Sequence, residues 1–366
     1  MSPSPRATAT IIRHIHLPSI TPFHLAETLQ SHLSSQILTY KKALSSPSPS
    51  SSPPPAPVPT ILTFVPTPVF TTGRREHAAL SADQLRILQA PLTPSRSTSV
   101  NQRRNPEWAS VVPTLRGGQT TFHGPGQLVI YPILDLKPSP VPSPAADGGA
   151  GTPAYGRWPK GVSARCYVNL LEQATINTLG HWSLKGVRTE NPGVWEEGGE
   201  RKIAALGVHL RRNVTSYGVG LNIATDLAWF DRIVACGLVG KGVVSMRELG
   251  EETGAWEASG AGRVVKADDG GEAMMELDEG IEGKDGIRRK WLDTLQPKSG
   301  IQLRARLKPG IVGKTWAREF ARGLLGKDGE EKVERVGIED LGLDDEFLTR
   351  YTIETEPWRA AWEDDW

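Results

Sequence analysis

The chain has 366 residues, a formal net charge of +1 and 23% charged residues. That length buries a sizeable core in one large domain or two ordinary ones, and the charge balance excludes a global electrostatic footprint for nucleic acid or an anionic membrane. Two cysteines, Cys166 and Cys236, exclude a disulfide-rich scaffold and a cysteine-built zinc site.

No run reaches the roughly 18 consecutive apolar residues of a spanning helix, and no secretory apolar core opens the chain, so a soluble, non-secreted protein is expected. Residues 1–26 carry Arg6 and Arg13 among Ser, Thr and His, with no acid before Glu27, the composition of an organellar presequence. The same stretch also reads as the start of the fold, with a strand over Ile11–His16 and a helix over Phe23–Leu33. Ser45–Pro59 is almost wholly Ser, Pro and Ala, too poor in apolar groups to offset its ordering entropy. Lys137–Gly161 and the acidic, Gly-rich Gly250–Asp285 are expected as two further loop insertions. Between them, Thr60–Val65 and Gln127–Leu136 read as strands, and Ala164–Trp182 as a helix striped by Tyr167, Leu170, Leu171, Ala174 and Thr178. Gly193–Trp195, Lys202–Leu210 and Val214–Ile223 read as strands, the first two joined by a turn at 196–200, and Lys314–Leu325 as a helix. Strands interrupted by a few helices predict an α+β sheet rather than a doubly wound one over 11–325, followed by an acidic tail over 326–366 with no assignable role.

Three constellations carry chemistry. Arg116-Gly117-Gly118-Gln119-Thr120-Thr121-Phe122-His123-Gly124-Pro125-Gly126-Gln127 directly precedes a strand. Its glycines let backbone approach a ligand closely, and Arg116 and His123 are groups able to bind a carbonyl, phosphate or amide; a Gly-rich turn is the plainer alternative. Lys202-Ile203-Ala204-Ala205-Leu206-Gly207 and Ala235-Cys236-Gly237 are the other two. A lone cysteine is ordinarily a small buried hydrophobe and a strand lysine ordinarily faces solvent, yet a thiolate stabilised by an ammonium is a nucleophile. Gly218 and Gly220 alternate in a predicted strand, which suits either a channel for an alkyl chain or close packing. Other matches are discounted. Lys308–Thr315 (KPGIVGKT) ends like a phosphate loop but begins on Lys308 rather than glycine. The sequon at Asn213 is irrelevant to a non-secreted chain, the histidines show no metal spacing, and Trp195 and Trp229 read as packing residues.

Taken in order, the Arg116–Gln127 motif, Lys-Ile-Ala-Ala-Leu-Gly and Cys-Gly resemble the lipoyl(octanoyl) transferase family, with Phe64–Arg75 and Asn191–Trp195 (NPGVW) as further matching segments. The resemblance implies the biotin/lipoate ligase fold, a mixed β-sheet packed by helices. It places the acyl-binding loop on Arg116, Gly117, Gly118, Gln119, Thr120, Thr121, Phe122 and His123. Further substrate contacts fall on Ala205, Leu206 and Gly207 and on Gly218, Val219 and Gly220, and the catalytic pair on Cys236 and Lys202. It also implies transfer of an octanoyl or lipoyl group from acyl carrier protein to a lysine of lipoyl domains in 2-oxoacid dehydrogenase or glycine-cleavage proteins. No cofactor, ATP or metal is expected, and the setting implied is the mitochondrial matrix. Arg74, Arg75, Arg103 and Arg104 are candidates for steering an acidic carrier, with a solvated surface as the alternative. Tyr217 departs from the family, many members of which carry His there. The rival readings are an ATP-dependent lipoate or biotin ligase, which would not need Cys236, and a non-catalytic carrier-binding scaffold.

Overall fold

The computed structural model describes residues 10–45, 55–74, 76, 80–92, 108–138, 155, 158–234, 240–256 and 307–364. Strand β1 (Ile12–Thr21) runs into helix α1 (Phe23–Ser45) and then β2 (Thr60–Pro66), which lies parallel to β1. This crossover is what a short strand, an amphipathic helix and a second apolar strand produce. The helix buries Phe23, Leu25, Ala26, Leu29, Leu33 and Ile37 at helical spacing, and it continues twelve residues past the predicted end at Leu33, to Ser45. Strand β3 (Val69–Thr72), helix α2 (Ala82–Gln89), β4 (Ser110–Pro113) and β5 (Thr121–His123) follow, then β6 (Gln127–Ile133) and α3 (Ala164–Gly180). Next come β7 (Gly186–Val187), β8 (Val194–Glu196), β9 (Arg201–Arg211), β10 (Val214–Asn222), β11 (Gly242–Val243) and α4 (Met246–Glu252). The described chain ends with α5 (Pro309–Leu325), β12 (Val333–Arg335) and α6 (Asp345–Asp364).

The large sheet has the order β12-β1-β2-β6-β10-β9-β8-β7, with β11 added in parallel to β9, and β4-β3-β5 form a small second sheet. Parallel and antiparallel pairs coexist, so the sheet is mixed and the fold is α+β. One core lies between the sheet and α3 and α5, centred on Tyr167, Trp316 and Phe320. A second lies on the opposite face under α1 and α6. A third joins the small sheet to the turn at Leu227–Arg232 through Phe70, Phe122, Trp229 and Phe230, and Trp229 stacks on Phe122 at 4.9 Å.

Two expectations gain detail and two need correction. Residues 12–26 are built into the sheet and α1, as the strand and helix read for that stretch require. The described residues of the 137–161 stretch form no helix or strand, and Tyr155, 2% exposed, anchors it by donating to the Asp135 carbonyl. The stretch read as a loop from Gly250 opens inside α4, and Trp256, 6% exposed, donates to the Trp182 carbonyl. The residues after 325 supply strand β12, paired to β1, and place Phe347 and Tyr351 in the second core, so the division at 325 falls inside the packed unit. KPGIVGKT forms the N-cap and first turns of α5, with Pro309 in the first turn and Gly313 against Thr63, and is no phosphate loop.

Candidate active site

The Arg116–His123 loop is folded back on itself by Arg116. Nε and Nη2 donate to Thr71 Oγ1 at 3.2 and 2.8 Å, Nη2 also to the Thr71 carbonyl, and Nη1 to the carbonyls of Gly117 and Gln119 at 3.1 and 2.9 Å. A guanidinium has five N–H groups, and these contacts occupy all of them. Arg116 therefore clamps the loop instead of reaching for a ligand. The loop is pinned from outside as well. Glu76 accepts from Thr120 N at 2.5 Å and from its hydroxyl at 2.7 Å, and a Cβ on Gly73 would stand 1.8 Å from the Gly118 carbonyl. Gly117 N donates to the Val208 carbonyl at 3.0 Å, docking the loop on β9.

His123 ends the loop on β5. Its Nδ1 meets Gln127 Oε1 at 2.5 Å, and its ring lies parallel to Phe23, 6.4 Å away. Burial holds its pKa at about 4, with the Arg116 guanidinium adding to the effect, so the imidazole is neutral at physiological pH. The alternating glycines opposite serve close packing. A Cβ on Gly220 would stand 3.2 Å from the His123 ring, one on Gly207 would stand 2.8 Å from Arg116 Cδ, and one on Gly218 would stand 2.3 Å from the Ile130 carbonyl.

Strand β10 is irregular at Tyr217, whose φ is 59°, a left-handed value that costs a bulky side chain. Val214 and Tyr217, three apart, consequently share the core under α1. The turned backbone N donates to Gln30 of α1 at 2.5 Å. The hydroxyl accepts from Leu115 N at 3.3 Å and donates to Glu27 at 3.1 Å. Burial pushes the Tyr217 hydroxyl up to about 12 and also raises the Glu27 carboxyl, so the tyrosine stays a proton donor.

Lys202 is 6% exposed on β9. Its Nζ donates to the Pro192 carbonyl at 3.1 Å and stands 4.7 Å from the centroid of the Trp195 ring, so Trp195 does more than pack. Lys202, the loop and the glycine-bearing strands border one cleft of about 320 Å³, within the range of small-molecule sites. Of the residues expected at the site, Arg116, Gly117, Gly118, Gln119, Thr121, His123, Lys202, Ala205, Leu206, Gly207, Gly218, Val219 and Gly220 line it. Thr120 turns to Glu76 and Phe122 to the third core. Cys236 lies outside the described residues, as do Arg75, Arg103 and Arg104, while Arg74 is exposed. On either side of Cys236 the described chain stops at Val234 and resumes at Gly240, and Gly242 and Val243 then pair with Arg201 and Lys202. The cleft also takes in Tyr131, Val168, Asn191, Pro192, Val208 and Tyr217. Of these, only the Asn191–Trp195 segment and the departure at Tyr217 gave a signal in the sequence.

Residues 156–259 match the model of the lipoyl protein ligase A/B catalytic domain. A probable octanoyltransferase of Schizosaccharomyces pombe is 42% identical over 193 residues, covering 52% of this chain and 68% of that one. The mitochondrial octanoyl-acyl-carrier-protein:protein N-octanoyltransferase of Danio rerio is 34% identical over 241 residues, 66% of this chain and 84% of that one. The chain belongs to the octanoyltransferase family. Octanoyltransferases are acyltransferases, and the cleft described above is bordered by the apolar side chains of Leu206 and Val208 and by Lys202. Among solved structures, a bipartite lipoate protein ligase from Thermoplasma acidophilum superposes with a TM-score of 0.42 at 13% identity, covering 96% of each chain. No helix among the octanoyltransferase's described residues is long and apolar enough to cross a membrane.

Proposed function

We propose that this octanoyltransferase takes an octanoyl group from acyl carrier protein, holds it as a thioester on Cys236, and passes it to a lysine of a lipoyl-carrier domain. The observation that carries the reading is the convergence of the Arg116 loop, the glycine-bearing strands and Lys202 on one cleft. From Lys202 to Val208 the strand spans roughly 20 Å, and an extended octanoyl chain, at roughly 1.2 Å per bond, needs about half of that. The carrier partner is taken from the name of the zebrafish relative. The mitochondrial setting comes from the names of the zebrafish and Saccharomyces cerevisiae relatives, the latter 36% identical over half its length.

The Cys236 thiolate attacks the carrier-bound acyl carbonyl, a carbon–sulfur bond to the enzyme forms, and the carrier leaves as a thiolate that takes up a proton. The neutral ε-amine of the acceptor lysine then attacks the enzyme thioester, forming the amide, releasing the Cys236 thiolate and giving up a proton to a base. The Lys202 ammonium stabilises the thiolate and the oxyanion. The exchange of one thioester for another is nearly isoenergetic and amide formation is downhill, so neither ATP nor a metal is called for.

Incubation with octanoyl carrier protein is expected to add one octanoyl group to Cys236, removed by neutral hydroxylamine and absent from Cys236→Ser. Ligation surviving in Cys236→Ser with ATP and free octanoate would instead make the chain a ligase. Lys202→Met is expected to slow the adduct about 100-fold at neutral pH, with recovery at alkaline pH; an unchanged rate removes Lys202 from the reaction.

A further inference from the structure

Lys202 is held by a turn, and the turn is held by a buried carboxylate. Both neighbours of its ammonium, the Pro192 carbonyl and the Trp195 ring, belong to the segment 191–195. Trp195 Nε1 donates to the Asn191 carbonyl at 3.0 Å and closes that segment into a unit. Gly193, at φ 129°, has no room for a side chain, because a Cβ would stand 2.8 Å from the Ala204 carbonyl and 3.1 Å from Lys202 Cε. Behind it lies Glu172 on α3, 5% exposed. Oε1 accepts from Gly193 N at 3.1 Å and Oε2 accepts from Arg188 Nε at 2.9 Å, while Arg188 Nη2 donates to the Asn169 carbonyl at 2.7 Å.

A carboxylate is an unfavourable choice for a helix face turned to the core. Here each of its oxygens has a definite partner. One fixes a backbone N–H that no strand neighbour satisfies, and the other is anchored by a guanidinium that is itself tied to α3. Glu172 does not line the cleft, so its effect on substrate is indirect. We infer that Glu172 is the positioning residue for Lys202, acting through the Gly193 amide on the Pro192 carbonyl and the Trp195 ring. Its consequence for turnover rests on the proposed role of Lys202; its consequence for Lys202 itself does not.

The test uses the full chain and two variants. Glu172→Gln keeps an acceptor for Gly193 N and loses the ion pair, whereas Glu172→Ala loses both. Trace labelling of lysines with acetic anhydride, resolved by peptide mass spectrometry, reports the accessibility of the Lys202 amine against exposed Lys185 as internal standard. The labelling of Lys202 is expected to rise tenfold or more in Glu172→Ala and about threefold in Glu172→Gln. Glu319→Gln, a change at an equally buried carboxylate on α5, is expected to lower the melting temperature and leave Lys202 labelling alone. In octanoyl transfer, Glu172→Ala is expected to lower kcat with little change in KM, and to add nothing when combined with Lys202→Met. Unchanged Lys202 labelling in Glu172→Gln and in any Glu172→Ala that folds overturns the inference, and so does an equal rise in Glu319→Gln. Raised labelling together with full activity in Lys202→Met keeps the coupling of Glu172 to Lys202 and removes Lys202 from the chemistry.

Discussion

Arg116 shows how far a residue's chemistry and its use can diverge. An arginine at the head of a Gly-rich loop suggests anion or carbonyl binding, but its donors are consumed by Thr71, Gly117 and Gln119. Arg116→Lys keeps the charge and loses the planar fork, so the loop loosens; KM for the octanoyl donor is expected to rise about tenfold with kcat changed less, and unchanged steady-state kinetics would contradict the clamp. Lys202 was legible in sequence as a candidate because a motif surrounds it, yet its partners were not, since Pro192 and Trp195 reach it only through the register shift between β8 and β9. Glu172 left no sequence signal at all. A glutamate in a helical stripe reads as a solvated face until the strand beneath it is placed.

Glycines carried the most information at the level of elements. Their alternation in β10 left a channel and close packing both open, and the structure shows close packing, with the Ile130 carbonyl against Gly218 and the His123 ring against Gly220. Gly73 is the tightest instance. Gly73→Ala is expected to displace the 117–120 loop and weaken donor binding at least tenfold. Gly180→Ala, where nothing lies within 4 Å, is expected to be neutral or stabilising by up to about 1 kcal/mol; equal binding constants in the two variants would break the argument. The strands were legible because apolar alternation and turn residues agree. The left-handed backbone at Tyr217 was not, because its cost is offset by tertiary bonds to Gln30, Glu27 and Leu115 rather than by local sequence. Tyr155 and Trp256 were missed for a related reason: one aromatic anchor in a Gly- and Pro-rich stretch barely moves its composition.

At the level of the whole molecule, three histidines make the fold acid-sensitive. Burial, the largest cause for each, holds His14 at about 3 and His16 and His123 at about 4. The unfolded chain takes up these protons near pH 6.5, so it binds more protons than the folded state between pH 6.5 and about 4, and stability falls as pH falls through that window. By linkage the loss is roughly 2 kcal/mol per histidine near pH 5. A melting temperature flat from pH 7 to 4.5 would contradict this, and His123→Gln is expected to lessen the slope. The tail makes a second prediction at this scale. Truncation after Leu325 removes β12, Phe347 and Tyr351 from the fold and is expected to lower stability by several kcal/mol; an unaltered denaturation midpoint would show the tail to be dispensable.

The pairing of β1 with β12 joins Ile12 to Val333. During synthesis the outer edge of β1 has no partner until Val333 and its neighbours have left the ribosome. An uncovered edge is a template for pairing with other chains. A chain halted before β12 is therefore expected to aggregate through the open edge of β1 more readily than one that has completed the pair.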